Sequence, residues 1–496
     1  MGVVITASML YSYVTCPHRV TLDLFGDPAE RDEVSPFVEL LWERGHAFER
    51  ETIDALGEPY LNLRDVSRDE REGLTVRAMA HGEGLIYGGR ISHRDLLGEP
   101  DLLRKTEAGY IPGDIKSGAG LEGRREDVDG KPKKPYALQL ALYSDILQQS
   151  GWGTTRNAFV WDIHGDEVAY PLEAPRGPRT GRTMWEEYQE ALADVSSIVD
   201  RTLGTKPGLI GACSLCPWRT HCWHEVVRAD DPTLISQLGP SAREKFPEAL
   251  QTVQRLADAP LDRLIVGGTS VIPGIGAKTL RTYHARAVLQ KESNGAPYFT
   301  EPVDLPTAAV ELFFDVETDP FRDLCYLHGF VCRDGGRDGT ETYEAFTADE
   351  ATPERERDAF AAAWDYVRAW PDAVVYYYSP YERTTWKKLA ARYPEVATEE
   401  DVVALFDQPR FIDLYHDVVR SKMVWPTHSL SIKTLATFLG FHWRDTDPSG
   451  AASVQWFHDW VETGDPQIWA RILEYNEDDC RAMRVLADAL RRMGTK

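Results

Sequence analysis

Along residues 1 to about 230, apolar positions recur at helical spacing and are interrupted by short apolar runs that read as strands. Residues 85–91 (LIYGGRI) followed by 95–97 (DLL) predict a hairpin, and a short strand ends in 113–116 (GDIK). A polar loop over 122–134 separates that strand from a strongly apolar stretch, 135–149, whose spacing predicts a helix. A cysteine-rich knot closes the region. From 231 to about 305 short helical stretches are broken by Gly and Pro, most densely in 266–279 (VGGTSVIPGIGAKT), which predicts a small connecting domain. Residues 306–496 open on the apolar strand 309–318 (AVELFFDVET), alternate strand and helix patterns, and end in a long amphipathic helix around 474–490. That alternation predicts an α/β layer fold. The domain boundaries expected are 1–230, 231–305 and 306–496. There is no low-complexity tract and no repeat at a period of about 20–50 residues.

Length and composition bound the answer loosely. At roughly 150 residues per domain, 496 residues accommodate about three. No window approaches the ~18 consecutive apolar residues of a membrane span. The first residues lack a basic segment followed by an apolar core, so no signal peptide is read and the cytoplasm is the expected compartment. Net charge is −24, which argues against a polyanionic partner, because affinity for phosphate comes largely from Lys and Arg. A local basic channel on an acidic protein is the competing reading, and a metal site needs clustered carboxylates of its own. Motifs have to decide.

In the first region, Gly98-Glu99-Pro100-Asp101, Gly113-Asp114-Ile115-Lys116 and Gln139-x-x-x-Tyr143 follow one another in strand, strand, helix. Hydrolysis of a phosphodiester near neutral pH needs a divalent metal, and hard cations take oxygen ligands. Asp101 at the end of one strand and Asp114 on the next can supply carboxylates, and the Ile115 carbonyl a further oxygen. Residues i and i+2 of a strand face one side, so Lys116 points with Asp114, where it can neutralise charge developing on phosphate. Gln139 and Tyr143 share a helix face and can hold a nucleotide against the site. Singly, each of these is ordinary surface or core; the ordered set is not. It resembles the PD-(D/E)xK nucleases, specifically the RecB-like branch. The resemblance implies a further metal ligand from an upstream helix, where Glu49 takes the acidic position. Phe48 stands where that branch often carries histidine, and His46 lies one turn away. Lys131, Lys133 and Lys134 form a basic loop that can contact a strand or simply be solvated.

Seven cysteines occur, and Cys213-x2-Cys216-x5-Cys222 is compact, with Cys16 far upstream. A large intracellular chain gains little from disulfides, so the cluster reads as a metal site. Thiolates of this kind hold zinc or an iron–sulfur cluster, and His221 and His224 keep a local Cys/His zinc site open. One Cys before the nuclease motifs and three after resemble the staple of AddB-type and CRISPR-associated RecB-like nucleases. That resemblance implies a [4Fe–4S] cluster on Cys16, Cys213, Cys216 and Cys222, clasping the two ends of the domain. Cys325, Cys332 and Cys480 are left for packing.

In the middle, residues 271–279 fail the Walker pattern, because Ala277 stands where Gly must precede the Lys. They look like the Gly-x-Gly turn of helix-hairpin-helix modules, whose backbone N–H groups hold a DNA phosphate; Arg281, His284 and Arg286 follow. A plain turn between helices is the alternative.

In the last region, period two puts Asp315 and Glu317 on one strand face, and Tyr475 and Asp479 share a helix face at i, i+4. Glu382 opens a helix after a strand. Four convergent acids can hold two cations about 3.5–4 Å apart, with Tyr475 orienting the attacking water. The order resembles the DEDD exonucleases of the RNase H-like superfamily, tyrosine subtype. The resemblance implies Asp315 and Glu317 as the first motif, Glu382 as the second and Asp479 as the third. The second motif normally carries Asp, so Glu382 adds a methylene. Asp478 rivals Asp479, but the Tyr-x-x-x-Asp spacing favours Asp479; Asp413 reads as secondary or structural.

Both halves together resemble a RecB-like nuclease family that carries a C-terminal YprB-type, RNase H-like domain. The resemblance implies a restriction-endonuclease-like domain, a small helical middle and an RNase H-like domain. The expected function is Mg²⁺- or Mn²⁺-dependent hydrolysis of DNA at the first site and 3′–5′ trimming of DNA or RNA at the second. The expected setting is DNA repair, recombination or defence, on single-stranded DNA and with no membrane partner. The alternatives are a chain with one working site, a non-catalytic iron–sulfur adaptor for a separate helicase, and a zinc-stapled RNA-processing enzyme.

Overall fold

The structure, a computed structural model, describes residues 3–123, 130–175, 181–292, 295–336, 339–446 and 448–494. Residues 124–129 of the polar loop expected over 122–134 lie outside the described residues. The fold is mixed α/β. It divides into two compact units, Met1–Pro207 with Gly211–Cys222, and Gly208–Ile210 with Trp223–Lys496.

The first unit is built on a six-stranded sheet. Its strands run in the order Glu167–Pro171, Asn157–Trp161, Gly109–Ile115, Leu102–Thr106, Leu85–Tyr87, Leu61–Asn62. Leu102–Thr106 and Gly109–Ile115 are antiparallel neighbours, and Asn157–Trp161 lies parallel to the latter. The apolar stretch read as a helix is the helix Lys134–Gln149, with Pro in its first turn. Leu138, Leu140, Leu142, Ile146 and Leu147 are buried on it, each contributing about 1.5–3 kcal/mol. The expected hairpin forms, with a first arm that begins only at Ile91. Leu85–Tyr87 pairs inside the large sheet, whereas the antiparallel pair is Ile91–His93 with Leu96–Gly98, in a separate three-stranded sheet. The Gly88-Gly89 step carries the chain from one sheet to the other. Gly88 has φ +71°, and a Cβ there would lie 2.7 Å from the Arg64 Cα, so only glycine fits this crossing between sheets.

The second unit holds a five-stranded sheet in the order Thr340–Thr347, Leu324–Asp334, Val310–Asp319, Val374–Tyr377, Phe411–Asp413. The first three form an antiparallel meander, and the last two run parallel to Val310–Asp319 and to each other. The central strand is apolar on both faces because both are covered. Leu312, Phe314 and Val316 enter a core with Phe360, Trp364 and Trp386. Phe313 enters the opposite core with Met483, Leu486 and Leu490 of the long helix Pro466–Gly494.

The middle segment lies in this second unit as short helices around a small core of its own. A two-stranded turn, Ile265–Val266 with Thr269–Ser270, precedes the Gly-rich loop, and Gly276 caps the helix Ala277–Lys291. Two of the three basic residues that follow that loop are turned inward. Arg286 is buried and donates to the Ser236 carbonyl and to Gln237, and His284 bonds the Ala259 carbonyl. Arg281 remains exposed.

Candidate active sites

In the first unit the sheet and two helices bring the expected acids together. Asp114 is buried near the end of Gly109–Ile115. Asp101 sits just ahead of Leu102–Thr106, and its carboxylate accepts the Ile115 N–H at 2.9 Å. The Lys116 ammonium lies 2.9 Å from Asp114 Oδ2. Glu49 projects from the helix Pro36–Asp54 and is buried. Tyr143 is buried, with its hydroxyl 3.5 Å from the Glu99 carbonyl. Gln139 is half-buried one turn before it. Two glycines of the motifs have packing causes. A Cβ on Gly98 would meet the Tyr143 ring at 2.6 Å, and one on Gly113 the Phe159 ring at 2.3 Å.

Electrostatics follow from this crowding. Burial, then Asp114 and Glu49, push the Asp101 carboxyl up to about 7 against the pull of Lys116 and the Ile115 N–H. Burial opposes charge on Lys116, but Asp114 and Asp101 outweigh it and hold the ammonium protonated. Sequence reading missed two groups. Arg64 donates to Glu49 at 3.1 Å and lies 4.0 Å from Asp101, and the Tyr87 hydroxyl donates to Glu49 at 3.0 Å. Neither stands in a motif; Arg64 comes from a loop with no periodic pattern. His46 lies 3.9 Å from Glu49 on an exposed face, while Phe48 packs against the apolar cluster of Leu85 and Tyr87. Among the basic loop residues, Lys134 is paired with Glu187 at 2.7 Å and Lys133 sits over the Tyr136 ring.

Cys16 lies between the helices Ala7–Thr15 and Pro17–Phe25, Cys213 and Cys216 in and just after the short helix Gly211–Leu215, and Cys222 in Arg219–Arg228. Burial pushes the Cys216 thiol up, and Cys213 and Cys16 add to this, so the upstream cysteine reaches the downstream group. Cys16, Cys213 and Cys216 are thus half-buried neighbours, and thiols are the donors that soft metals take.

In the second unit Asp315 and Glu317 follow Phe313 toward the helix Pro466–Gly494, as period two requires. Oxygens of Asp315, Glu317 and Asp479 all lie within 4.8 Å of one another. Asp479 joins them rather than Asp478, whose carboxylate is held by the Arg444 backbone and side chain at 2.8 and 2.9 Å. Asn476 donates to Asp315 at 2.7 Å and accepts from the Tyr343 hydroxyl at 2.8 Å. Its amide occupies the space above Gly329, where a Cβ would come within 1.6 Å. Ser453 donates to Glu317 at 2.8 Å. Trp443 Nε1 donates to Asp479 at 2.8 Å, and Lys433 Nζ lies 2.8 Å from the Tyr475 oxygen and 3.3 Å from both Asp479 oxygens. Asn476, Ser453, Trp443 and Lys433 were not anticipated.

Glu382 opens the helix Tyr381–Arg392, buried, and stands outside the convergent group of three. Its Oε2 has no hydrogen-bond partner among the described residues. Burial, then Asp413 and Asp479, hold its carboxyl well above the usual range. Asp413 is occupied structurally, accepting the N–H groups of Ser379, Tyr415 and His416 at 2.9–3.0 Å. It thereby pins Ser379, which has φ +88°, in the turn that leads to Glu382. Burial, then Glu317 and Asp479, hold Asp315 well above the carboxylate range, and burial and Asp479 push Glu317 up to about 8. Crowded, mutually repelling oxygens of this kind fit a hard divalent cation, whose charge removes the repulsion.

Among the described residues, no helix is long and apolar enough to cross a membrane. No curated protein matches the chain. Residues 14–223 match the PD-(D/E)XK nuclease superfamily, and residues 312–491 match the RNase H superfamily. The chain thus joins two domains of nuclease hydrolase fold, the first belonging to the PD-(D/E)XK nuclease superfamily and the second to the RNase H superfamily.

Proposed function

We propose that the chain is a two-site, Mg²⁺- or Mn²⁺-dependent nuclease that cuts DNA at the first site and trims DNA or RNA from the 3′ end at the second. The observation that carries this reading is the convergence of the oxygens of Asp315, Glu317 and Asp479 within 4.8 Å of one another; in the first domain Asp101 and Asp114 are neighbours, and Arg64 links Glu49 to Asp101. Glu49, Asp101 and Asp114 would hold the ion of the first site, and Asp315, Glu317 and Asp479 that of the second, with Glu382 beside it. A bound divalent ion supplies Lewis-acid polarisation and lowers the pKa of water. Lys116 offers a fixed positive charge beside Asp114, where negative charge develops on the phosphoryl group. Tyr143 and Gln139 line that site from one helix, and Tyr475 faces Asp479 in the other.

The working domain limits are 1–230, 231–305 and 306–496. We assign Cys16, Cys213, Cys216 and Cys222 to a [4Fe–4S] cluster of structural role, with zinc as the alternative. Ligation there would close a loop of roughly two hundred residues. Single strands would come from a helicase on another chain, in repair, recombination or defence. A second reading, with one cutting site, draws on the position of Glu382 outside the convergent group.

Protein purified without oxygen tests the proposal on labelled single-stranded DNA, duplex DNA and RNA. Cleavage that needs Mg²⁺ or Mn²⁺ and stops with chelator is expected. So is broad visible absorption that Cys16→Ser removes. Binding without cleavage under any metal would replace the enzyme with an adaptor, and stoichiometric zinc without iron would replace the cluster.

A further inference from the structure

Lys433 is the second residue of the helix Ile432–Phe438, which Ser431 caps and Leu435 anchors in the core beneath the helix Pro466–Gly494. Its ammonium lies 4.9 Å from the centre of the Tyr475 ring and 5.6 Å from that of Trp443, and its side chain is about one-third exposed. The Tyr475 ring cannot swing away: it is 2% exposed and meets the Trp456 ring edge-on at 5.7 Å.

An ammonium only donates, so at 2.8 Å Tyr475 Oη must accept from Lys433. The phenol then directs its own hydrogen elsewhere, and the acceptor at hand is the Asp479 carboxylate, which the same ammonium touches at 3.3 Å. One lone pair of Oη is left, and it can only accept. A water hydrogen-bonded there donates to Tyr475 and keeps its own lone pairs for an electrophile. Without Lys433 the hydroxyl could rotate and donate to the same water, which would tie up the nucleophilic lone pair.

We infer that Lys433 is a positioning residue for Tyr475, fixing its hydroxyl as the acceptor that orients the attacking water at the second site. This rests on reading that site as a nuclease site. A simple counter-ion to Asp479 would need no contact with Tyr475, and a phosphate-binding lysine would point its donors outward.

The test uses the full chain carrying Asp114→Ala, so that cleavage reports the second site. Lys433→Met, Tyr475→Phe and the double variant are compared on 3′-labelled single strands, with Mn²⁺ affinity measured by calorimetry. Lys433→Met should lower kcat by roughly 10²-fold with KM little changed. Tyr475→Phe should lower it equally, and the double variant should be no slower than either. Lys433→Arg, also donor-only, should regain most of the loss. Mn²⁺ affinity should hold or rise, because a cation beside Asp479 is gone. The inference is overturned if the two losses multiply, if Lys433→Met raises KM alone, or if activity, Mn²⁺ affinity and thermal stability fall together. Asp315→Ala is the control: if it leaves trimming intact, the reading of the site fails and takes this inference with it.

Discussion

Asp315 and Glu317 hold their protons against the solvent because burial and a neighbouring acid both penalise ionisation. The sign of the consequence is fixed. Glu317 titrates near its ordinary value when unfolded and near 8 when folded, so the folded chain binds more protons between those limits. Without metal, stability therefore falls as pH rises through that window. Mn²⁺ requires the ionised form, so its binding releases protons and tightens with pH; Asp101, near 7, adds to this at the first site. Urea unfolding with and without Mn²⁺ from pH 5 to 8 should show a gap that widens with pH, and a constant gap would contradict it. His328 acts in the opposite sense. It is fully buried, accepts a hydrogen bond from Trp386, and burial lowers it to about 3. The unfolded chain gains a proton on it below about 6.5, so stability is lost as pH falls from there, on the order of a few kcal/mol in total. His328→Leu should flatten that acid limb in urea unfolding; an unchanged limb would assign it to other groups.

At the scale of elements, the second site depends on how one strand and one helix are locked. Arg333 and Arg491, both buried, converge on buried Glu311, and Asp488 of the helix completes the cluster. Removing one member of a buried ionic network leaves uncompensated charge, so Glu311→Gln should cost roughly 3–5 kcal/mol in chemical denaturation. A loss under about 1 kcal/mol would mean that water reaches the cluster. Much of the pairing was legible. The strand 309–318 is apolar because both faces are covered, and two carboxylates inside such a strand demand a chemical reason. Tyr475 and Asp479 follow from helical spacing, and the chain order of acids carried the rest. What was not legible came from tertiary packing. Lys433 and Trp443 reach Asp479 from segments roughly forty residues earlier in the chain, and Arg64 reaches Glu49 from a loop. The division of residues 85–91 between two sheets was not legible either; Gly88, at φ +71° against the Arg64 backbone, marks the crossing.

Over the whole molecule, the net charge of −24 is accompanied by cations that are already engaged near both sites. Arg333, Arg444, Arg481 and Arg491 are held in ion pairs within the second unit, and Lys116 and Lys433 sit in the acid clusters themselves. On the proposed function, a metal ion at Asp315, Glu317 and Asp479 would then grip phosphate in place of these cations. On the proposed function, two separate acid clusters on one chain each hydrolyse phosphodiesters. The most direct measurement is cleavage of labelled single-stranded and duplex DNA and of RNA, with Mg²⁺ or Mn²⁺, by wild type, Asp114→Ala, Asp315→Ala and the double variant. Asp114→Ala should abolish DNA cutting and spare 3′ trimming, Asp315→Ala should do the reverse, and the double variant should be silent. A double variant that cuts like wild type, or a wild type that binds and never cuts, would contradict it.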